Sequence, residues 1–194
     1  MSKSVRLRIL RWLYRHRGLC VAPPMVYVLF STRWEIEDEW LIWMPAATFV
    51  LLGVLSRVWA QQHIRFRLNE KRHLATTGPY SFIRHPLYVA NTLICLGMTF
   101  ASELLWMAPV TLLWCAVLYA TVARYEEQRM LRKYGAVYGE YMERVPRWVP
   151  RLQNIGQAQF VNRHFWPSLL VEATCLLALF PYVLKEITDH WLEG

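Results

Sequence analysis

Four long apolar runs separated by basic segments constrain the fold of this chain more than any other feature. The runs occupy residues 18–34, 40–60, 86–123 and 165–184. A helix needs about 20 mostly apolar residues to cross a bilayer. At about 1.5 Å per residue the third run is far too long to cross once, so we divide it into two antiparallel spans near Ser102 and Glu103. The pattern predicts an all-α integral membrane protein with about five transmembrane helices.

The first and last runs are the least regular. The first contains Pro23 and Pro24, which we expect to kink it, and we interpret it as an uncleaved span because no small-residue cleavage site follows. The last carries Glu172, and the sequence leaves open whether this carboxylate reaches a cavity or extends to the membrane surface. We interpret the chain as one domain comprising two initial spans (1–60), a core of motifs (72–150) and a C-terminal span (165–184).

Lysine and arginine are distributed unevenly between the two sides of this predicted bundle. Residues 1–17, 61–85 and 124–164 all fall on one side and hold 19 of the 22 Lys and Arg residues. An excess of these residues is typical of cytoplasmic loops. We therefore predict a cytoplasmic N-terminus and a cytoplasmic site in the C-terminal half, in the inner (plasma) membrane of a bacterium or the endoplasmic reticulum of a eukaryote.

A formal net charge of +8 would also suit a nucleic-acid-binding protein. The basic residues flank apolar runs instead of forming one patch, so we predict membrane lipids and no nucleic acid as partners. The four cysteines lie inside apolar runs without metal-ligand spacing. We therefore predict neither disulfides nor a metal site.

The segment 78–88, GPYSFIRHPLY, places polar groups at the start of the third predicted span. Gly78 and Pro79 predict a turn, and Pro86 suits the first position of a helix because its missing N–H costs nothing there. The free N–H groups that follow and the positive end of the helix dipole form a potential anion site.

Four side chains of this segment could serve such a site. Arg84 is a permanent bidentate donor, and His85 changes charge near neutral pH. Tyr80 and Tyr88 supply rings that can stack on a ligand or face a cation. Taken alone, these residues favour a simpler interpretation, in which Arg84 anchors the helix at the membrane surface and His85 is an interfacial residue.

Two consecutive carboxylates, Glu126 and Glu127, follow the fourth predicted span. Carboxylates at the edge of a bilayer are costly unless they bind cations or polar groups, which suggests a site. Alternatively, they balance neighbouring arginines on the same helix, namely Arg124, Arg129 and Arg132. The residues alone leave both interpretations open.

Taken together, the motifs resemble the isoprenylcysteine carboxyl methyltransferase family and its phospholipid-methyltransferase relatives. GPYSFIRHPLY and EEQRMLRKYGAVYGEYMERVPRWVP follow each other across a helical hairpin with the spacing of that family, within residues 72–150. The resemblance implies an integral membrane enzyme that takes S-adenosylmethionine from the cytosol and a lipophilic acceptor from the bilayer. The chain departs from the family pattern at two positions. Arg72 stands where the family usually has histidine, with His73 next to it, and Ala90 stands where the family usually has glycine.

The resemblance also assigns residues to the site. Arg84 and Glu126 would be catalytic; the cofactor-binding residues would be Leu74, Gly78, Tyr80, His85, Pro86, Tyr88 and Glu127. We expect Arg84 to hold an oxyanion of the acceptor and Glu126 to position Arg84 or accept a proton. Glu127 would bind a hydroxyl or amino group of the cofactor, and the helix start at Pro86 or His85 would bind its carboxylate.

Three functions remain open at this stage. The first is O-methylation of a lipophilic carboxylate, such as a prenylcysteine-like group, and a close variant is N-methylation of a phospholipid. The second is a reductase similar to the sterol reductases, for which the chain looks too short. The third is a membrane scaffold or transport subunit in which the charged pairs are structural.

Overall fold

The structure, a computed structural model, describes residues 3–31, 39–64, 74–151, 160 and 164–176. Within these residues all regular structure is helical. The α-helices are α1 (Lys3–Arg15), α2 (Ala22–Phe30), α3 (Glu39–Ile64), α4 (Pro86–Ala101), α5 (Met107–Tyr134), α6 (Ala136–Arg144) and α7 (Phe165–Leu176). Short 3₁₀ turns occupy Leu19–Val21 and Gly78–Ser81.

Two of these helices are long and apolar enough to cross a membrane by length and composition. They are the segments Ile42–Ile64 of α3 and Met107–Tyr134 of α5. Helix α4 has 16 residues, and the apolar segment Leu19–Phe30 is shorter still. The all-helical fold is therefore confirmed, whereas two of the five expected spans have full length in the described residues. Part of the last predicted span, beyond Leu176, lies outside those residues.

The predicted division of the third run is confirmed. Helix α4 ends at Ala101 and α5 begins at Met107, and Glu103 makes the reversal with a φ of 62°. Thr99 and Thr111 on the two sides of this hairpin bond through their hydroxyls at 3.1 Å. The predicted kink at Pro23 and Pro24 is wrong, because the prolines lie in the first turn of α2, where no internal hydrogen bond is lost.

Helices α3 and α4 are antiparallel and approach closely through small residues. A Cβ on Gly97 would lie 2.8 Å from the carbonyl oxygen of Ala46, and one on Gly53 would lie 2.8 Å from that of Ala90. Small residues allow helix backbones to approach in this way in membrane proteins. Ala90, where the family pattern has glycine, is fully buried in this contact and fits it.

Helix α7 is attached to this pair by buried charges. The Nε atom of Arg57 on α3 donates to Glu172 on α7 at 2.6 Å, and its Nη2 atom donates to the other carboxylate oxygen at 3.2 Å. Arg57 also donates to the side-chain oxygen of Asn91 on α4. Glu172 therefore neither lines the cavity described below nor extends to the surface; it joins α7 to α3.

Candidate active site

The turn Gly78–Ser81 requires its glycine. Gly78 has a φ of +62°, and a Cβ there would lie 2.3 Å from the Nε2 atom of His63 at the end of α3. The hydroxyl of Ser81 donates to the Gly78 carbonyl oxygen at 2.7 Å and closes the turn. Any other residue at position 78 would combine a left-handed backbone with a steric overlap.

The two distant motifs are joined by backbone hydrogen bonds. The N–H of Arg84 donates to the carbonyl oxygen of Pro146 at 2.9 Å, and that of Arg151 donates to Phe82 at 3.3 Å. The hydroxyl of Tyr141 on α6 donates to the Tyr80 carbonyl oxygen at 2.8 Å. The irregular segment after α6 therefore lies against the segment that precedes α4, and α4 begins at Pro86 as predicted.

Glu127 is the centre of a buried charge cluster. One of its oxygens lies 3.0 Å from Nη1 of Arg84, 3.2 Å from Nε2 of His85 and 2.9 Å from Nε of Arg147. Its second oxygen accepts from Nη2 of Arg147. The side chain of Glu127 is only 4% exposed, so these donors replace the water that the charge has lost.

This cluster corrects two expectations. Arg84 pairs with Glu127, not with Glu126, so Glu126 does not position it. Both oxygens of Glu127 accept hydrogen bonds from protein donors. This carboxylate therefore binds the cationic side chains and is not presented to a cofactor. The alternative in which the two glutamates balance Arg124, Arg129 and Arg132 is also wrong for Glu127, because its partners come from outside α5.

Glu126 has a different environment one residue earlier on the same helix. It accepts a hydrogen bond of 2.6 Å from the hydroxyl of Tyr88, and its oxygen lies 3.8 Å from Nδ1 of His85. The rings of His85 and Tyr88 stack with centroids 5.3 Å apart. The side chain of Glu126 is 19% exposed and lines a cavity, so it is the carboxylate that a bound molecule would meet.

The cavity lies where the ends of α3, α4 and α5 meet α6, the last turn of α1 and the residues after it, and its volume is about 450 Å³. Clefts for small molecules commonly measure about 300–1,000 Å³. Six of the nine predicted site residues line it: Leu74, Tyr80, Arg84, His85, Tyr88 and Glu126. The other three do not line it: Gly78 lies against His63, Glu127 is paired with Arg84, and Pro86 is the chain neighbour of His85.

Three buried polar atoms of the lining residues have no hydrogen-bond partner in the described part of the chain, and one of them, Nη1 of Arg84, is engaged only in the ion pair with Glu127. The other two are the hydroxyl of Tyr80 and the Nε atom of Arg84. A buried polar group without a partner is costly, and a polar ligand in the cavity would remove that cost. Burial raises the pKa of Tyr80 well above its usual range and that of Tyr138 to about 12, so both remain neutral donors at physiological pH.

Sequence reasoning missed several lining residues. Tyr14 and Arg17 come from the N-terminal segment, His63 comes from the end of α3, and Lys133 lies on α5. Arg147 was missed as a partner of Glu127, although it stands in the segment VPRWVP that the motif includes. Residues 72 and 73, where the chain departs from the family's histidine position, lie outside the described residues. His63 reaches the site only through the tertiary approach of α3, and no local pattern indicates it.

Comparison with known proteins supplies the family. Residues 42–137 match the family described as phospholipid methyltransferase. The nickel-cobalt-cadmium resistance protein NccN of Alcaligenes xylosoxydans xylosoxydans is 32% identical, over 73% of this chain and 68% of its own length. The cobalt-zinc-cadmium resistance protein CzcN of Cupriavidus metallidurans is 40% identical, over 73% of this chain and 67% of its own length. A protein-S-isoprenylcysteine O-methyltransferase B of Arabidopsis thaliana is 28% identical, over 59% of this chain and 62% of its own length. No solved structure matches the chain.

The helical fold and the two long apolar helices fit a membrane protein, and the polar cavity at the helix ends is its candidate site. The chain belongs to the phospholipid methyltransferase family of integral membrane proteins, as the motifs indicated. Two of the relatives carry names that describe metal resistance. Within the described residues, no three His, Cys, Asp or Glu side chains are grouped as metal ligands would be.

Proposed function

We propose that this protein is a membrane-embedded methyltransferase that uses S-adenosylmethionine and methylates a lipophilic acceptor. The observation that carries the proposal is the convergence of Arg84, Tyr88 and Glu126 on one cavity. The unpartnered polar atoms of Tyr80 and Arg84 fit a polar ligand of this kind. S-adenosylmethionine would supply an activated methyl group carried on a positively charged sulfur.

The lining residues divide into two sets by their chemistry. The Glu126 carboxylate and the rings of Tyr80 and Tyr88 suit the positive charge of the cofactor. Arg84 and His85 suit an anionic oxygen of the cofactor or of the acceptor. Leu74 would contact an apolar part of the ligand. Alignment of the two reactants in such a cavity can be worth about 7–11 kcal/mol of the barrier.

Behind these side chains, three residues would act indirectly. Glu127 would hold Arg84 and His85 in their orientations, and Gly78 would allow the turn to approach His63 closely. Pro86 would fix the start of α4. We therefore propose Arg84 and Glu126 as the catalytic residues and the three others as positioning residues.

The charge of the cavity lining favours an anionic acceptor. Arg17 and Lys133 line the cavity with a single lining carboxylate, Glu126, while Arg84 is already paired with Glu127. Even after one cation binds the carboxylate of the cofactor, positive charge remains for the acceptor. We therefore propose O-methylation of a lipophilic carboxylate, such as a prenylcysteine-like group. A phospholipid amine is the second candidate, which the family description favours and for which Glu126 could accept a proton.

The topology of the chain is also part of the proposal. We propose five membrane segments and a cytoplasmic cavity, because the segments predicted to lie on the side of the cavity hold 19 of the 22 Lys and Arg residues. Glu140 is exposed on α6. A cysteine introduced there should react with a membrane-impermeant reagent from the cytoplasmic side only, whereas reaction from the opposite side would contradict this orientation.

The names of two relatives suggest a physiological role. Methylating a membrane carboxylate removes a negative charge that could attract divalent cations. We propose that the protein acts in this way in resistance to metal ions. Expression in a metal-sensitive bacterium should raise the tolerated cadmium or cobalt concentration, and the Glu126→Gln variant should not.

Calorimetry on the purified protein separates the enzyme from the alternatives. Micromolar binding of S-adenosylhomocysteine, the demethylated cofactor, would support the proposal. Binding of a nicotinamide dinucleotide phosphate instead would favour a reductase, and binding of neither would favour a scaffold. The Arg84→Ala and Glu126→Ala variants should lose transfer of a labelled methyl group, and wild-type rates in both would refute their roles.

Lipid analysis identifies the acceptor. Lipids from cells with and without the protein should differ by one CH₂ group in the methylated species. Esterase treatment then distinguishes the two chemistries, because a methyl ester is cleaved and a methylamine is not.

A further inference from the structure

Helix α1 packs on the rest of the protein through one face. Tyr14 tilts against Tyr125 of α5 with ring centroids 5.6 Å apart, and the guanidinium of Arg129 lies 5.5 Å from the Tyr14 ring. Leu13 packs with Tyr14 against the buried cluster around Tyr88. This face fixes α1 beside the cavity.

A second apolar stripe on α1 faces away from the protein. It consists of Val5, Ile9 and Trp12, spaced at i, i+4 and i+7, which places them on one side of a helix. Their exposed fractions are 36%, 44% and 57%. All three side chains are exposed, and a soluble helix with two apolar faces would be unusual.

Next to the exposed stripe runs a row of arginines. Arg8, Arg11 and Arg15 are all exposed, at i, i+3 and i+7. The sequence of α1, KSVRLRILRWLYR, contains no acidic residue, and none of these three arginines has a carboxylate partner in the described residues. Three uncompensated guanidinium groups beside an apolar stripe are complementary to an anionic surface with an apolar interior.

The height of α1 along α5 matches the surface of a bilayer. The apolar stretch of α5 ends at Ala123, since Arg124 is the first charged residue of that helix. Tyr14 contacts α5 at Tyr125 and Arg129, directly after this point. The C-terminal end of α1 therefore lies level with the first charged residues of α5, where headgroups would meet hydrocarbon if α5 spans the bilayer.

We propose that α1 lies in the plane of the membrane and binds anionic phospholipids. The stripe of Val5, Ile9 and Trp12 inserts at the edge of the hydrocarbon, and the arginine row contacts the phosphates of the headgroups. This interaction goes beyond the proposed methyl transfer and does not depend on it.

The C-terminal end of α1 and the residues after it also contribute to the cavity. Tyr14 lines the cavity, and the guanidinium of Arg17 lies 4.9 Å from the Tyr14 ring and 5.8 Å from that of Tyr88. An isolated helix of 13 residues is marginal in water. The lipid surface therefore stabilises a helix whose end forms one wall of the site.

Hydrogen–deuterium exchange on the full chain in nanodiscs tests this inference without any assay of activity. Discs of phosphatidylcholine are compared with discs that contain about one-third phosphatidylglycerol, an anionic lipid. Amides of residues 5–15 should exchange more slowly in the anionic discs. Each arginine near an anionic surface contributes about fivefold, so the Arg8→Gln/Arg11→Gln/Arg15→Gln variant should lose up to about a hundredfold of protection.

The matched control removes the same charge elsewhere. Arg132, Arg144 and Arg151 are exposed, and replacing all three by glutamine should leave the exchange of α1 unchanged. The Trp12→Ser variant should weaken protection in both kinds of disc, since its contribution is apolar. Equal exchange of wild-type α1 in neutral and anionic discs would overturn the proposal, and so would protection that depends on protein concentration, which would indicate a second copy.

Discussion

Replacing Glu127 by glutamine tests whether this carboxylate is the anchor of the site. The change keeps the size of the side chain and removes the charge that Arg84, His85 and Arg147 share. Arg84 would be destabilised most, because its side chain is only 11% exposed and water cannot replace the lost partner. The side chain of Arg147 is 30% exposed, so solvent would compensate most of its loss.

The expected cost follows from that burial. Removing one partner of a buried ion pair costs about 3–5 kcal/mol, because it leaves an uncompensated charge. For a protein of this size, each kcal/mol lowers the melting temperature by about 2–4 °C. Glu127→Gln should therefore lower the melting temperature by roughly 6–20 °C.

Thermal unfolding followed by tryptophan fluorescence in lipid nanodiscs measures this change. Glu126→Gln is the matched control, since it makes the same chemical change one residue away. Tyr88 can still donate to the glutamine oxygen, so the control should cost about 1 kcal/mol. Equal shifts in the two variants, or no shift for Glu127→Gln, would refute the view that Glu127 anchors the cluster while Glu126 serves the cavity.

Three further substitutions test the fold around the site by the same unfolding measurement. Gly78→Ala should cost about 2–5 kcal/mol, from its left-handed φ and its overlap with a buried imidazole; a smaller loss would show that the turn can relax. Gly97→Ala should cost about 1–3 kcal/mol by forcing two helix backbones apart, whereas Gly139→Ala, with open space around it, should be neutral or stabilising. Glu172→Gln should cost about 3 kcal/mol because Arg57 loses its carboxylate partner within a membrane span, and the double variant Arg57→Met/Glu172→Leu should cost less than this single change. Additive losses in the double variant would contradict the pairing.

Several parts of the fold could be predicted from local sequence because local chemistry decides them. Pro86 sets the start of α4, since proline is favoured in the first turn of a helix. The length of the run 86–123 demands a reversal, because a single helix of that length exceeds the bilayer. The meeting of the two polar motifs follows from the hairpin, which returns the chain to the side from which it came.

The roles of the two glutamates could not be predicted in this way. Consecutive residues on a helix point about 100° apart. Only the rotation of α5 against α4 decides that Glu127 faces Arg84 inside the protein while Glu126 faces the cavity. The sequence identifies both carboxylates as candidates. Only the packing of the helices shows which of them binds the cations and which lines the cavity.

The apolar runs and the basic segments between them by themselves indicate a helical membrane chain with polar groups gathered at the ends of its runs, because about 20 apolar residues are long enough to cross a bilayer as a helix. Contacts between residues far apart in the chain were decided by tertiary structure alone. Glu172 meets Arg57 across 115 positions, and Tyr14 reaches the cavity from the first helix. Such pairings depend on the rotation of each helix and on which helices pack together. These are decided by the free energy of the whole fold, and no local sequence pattern indicates them.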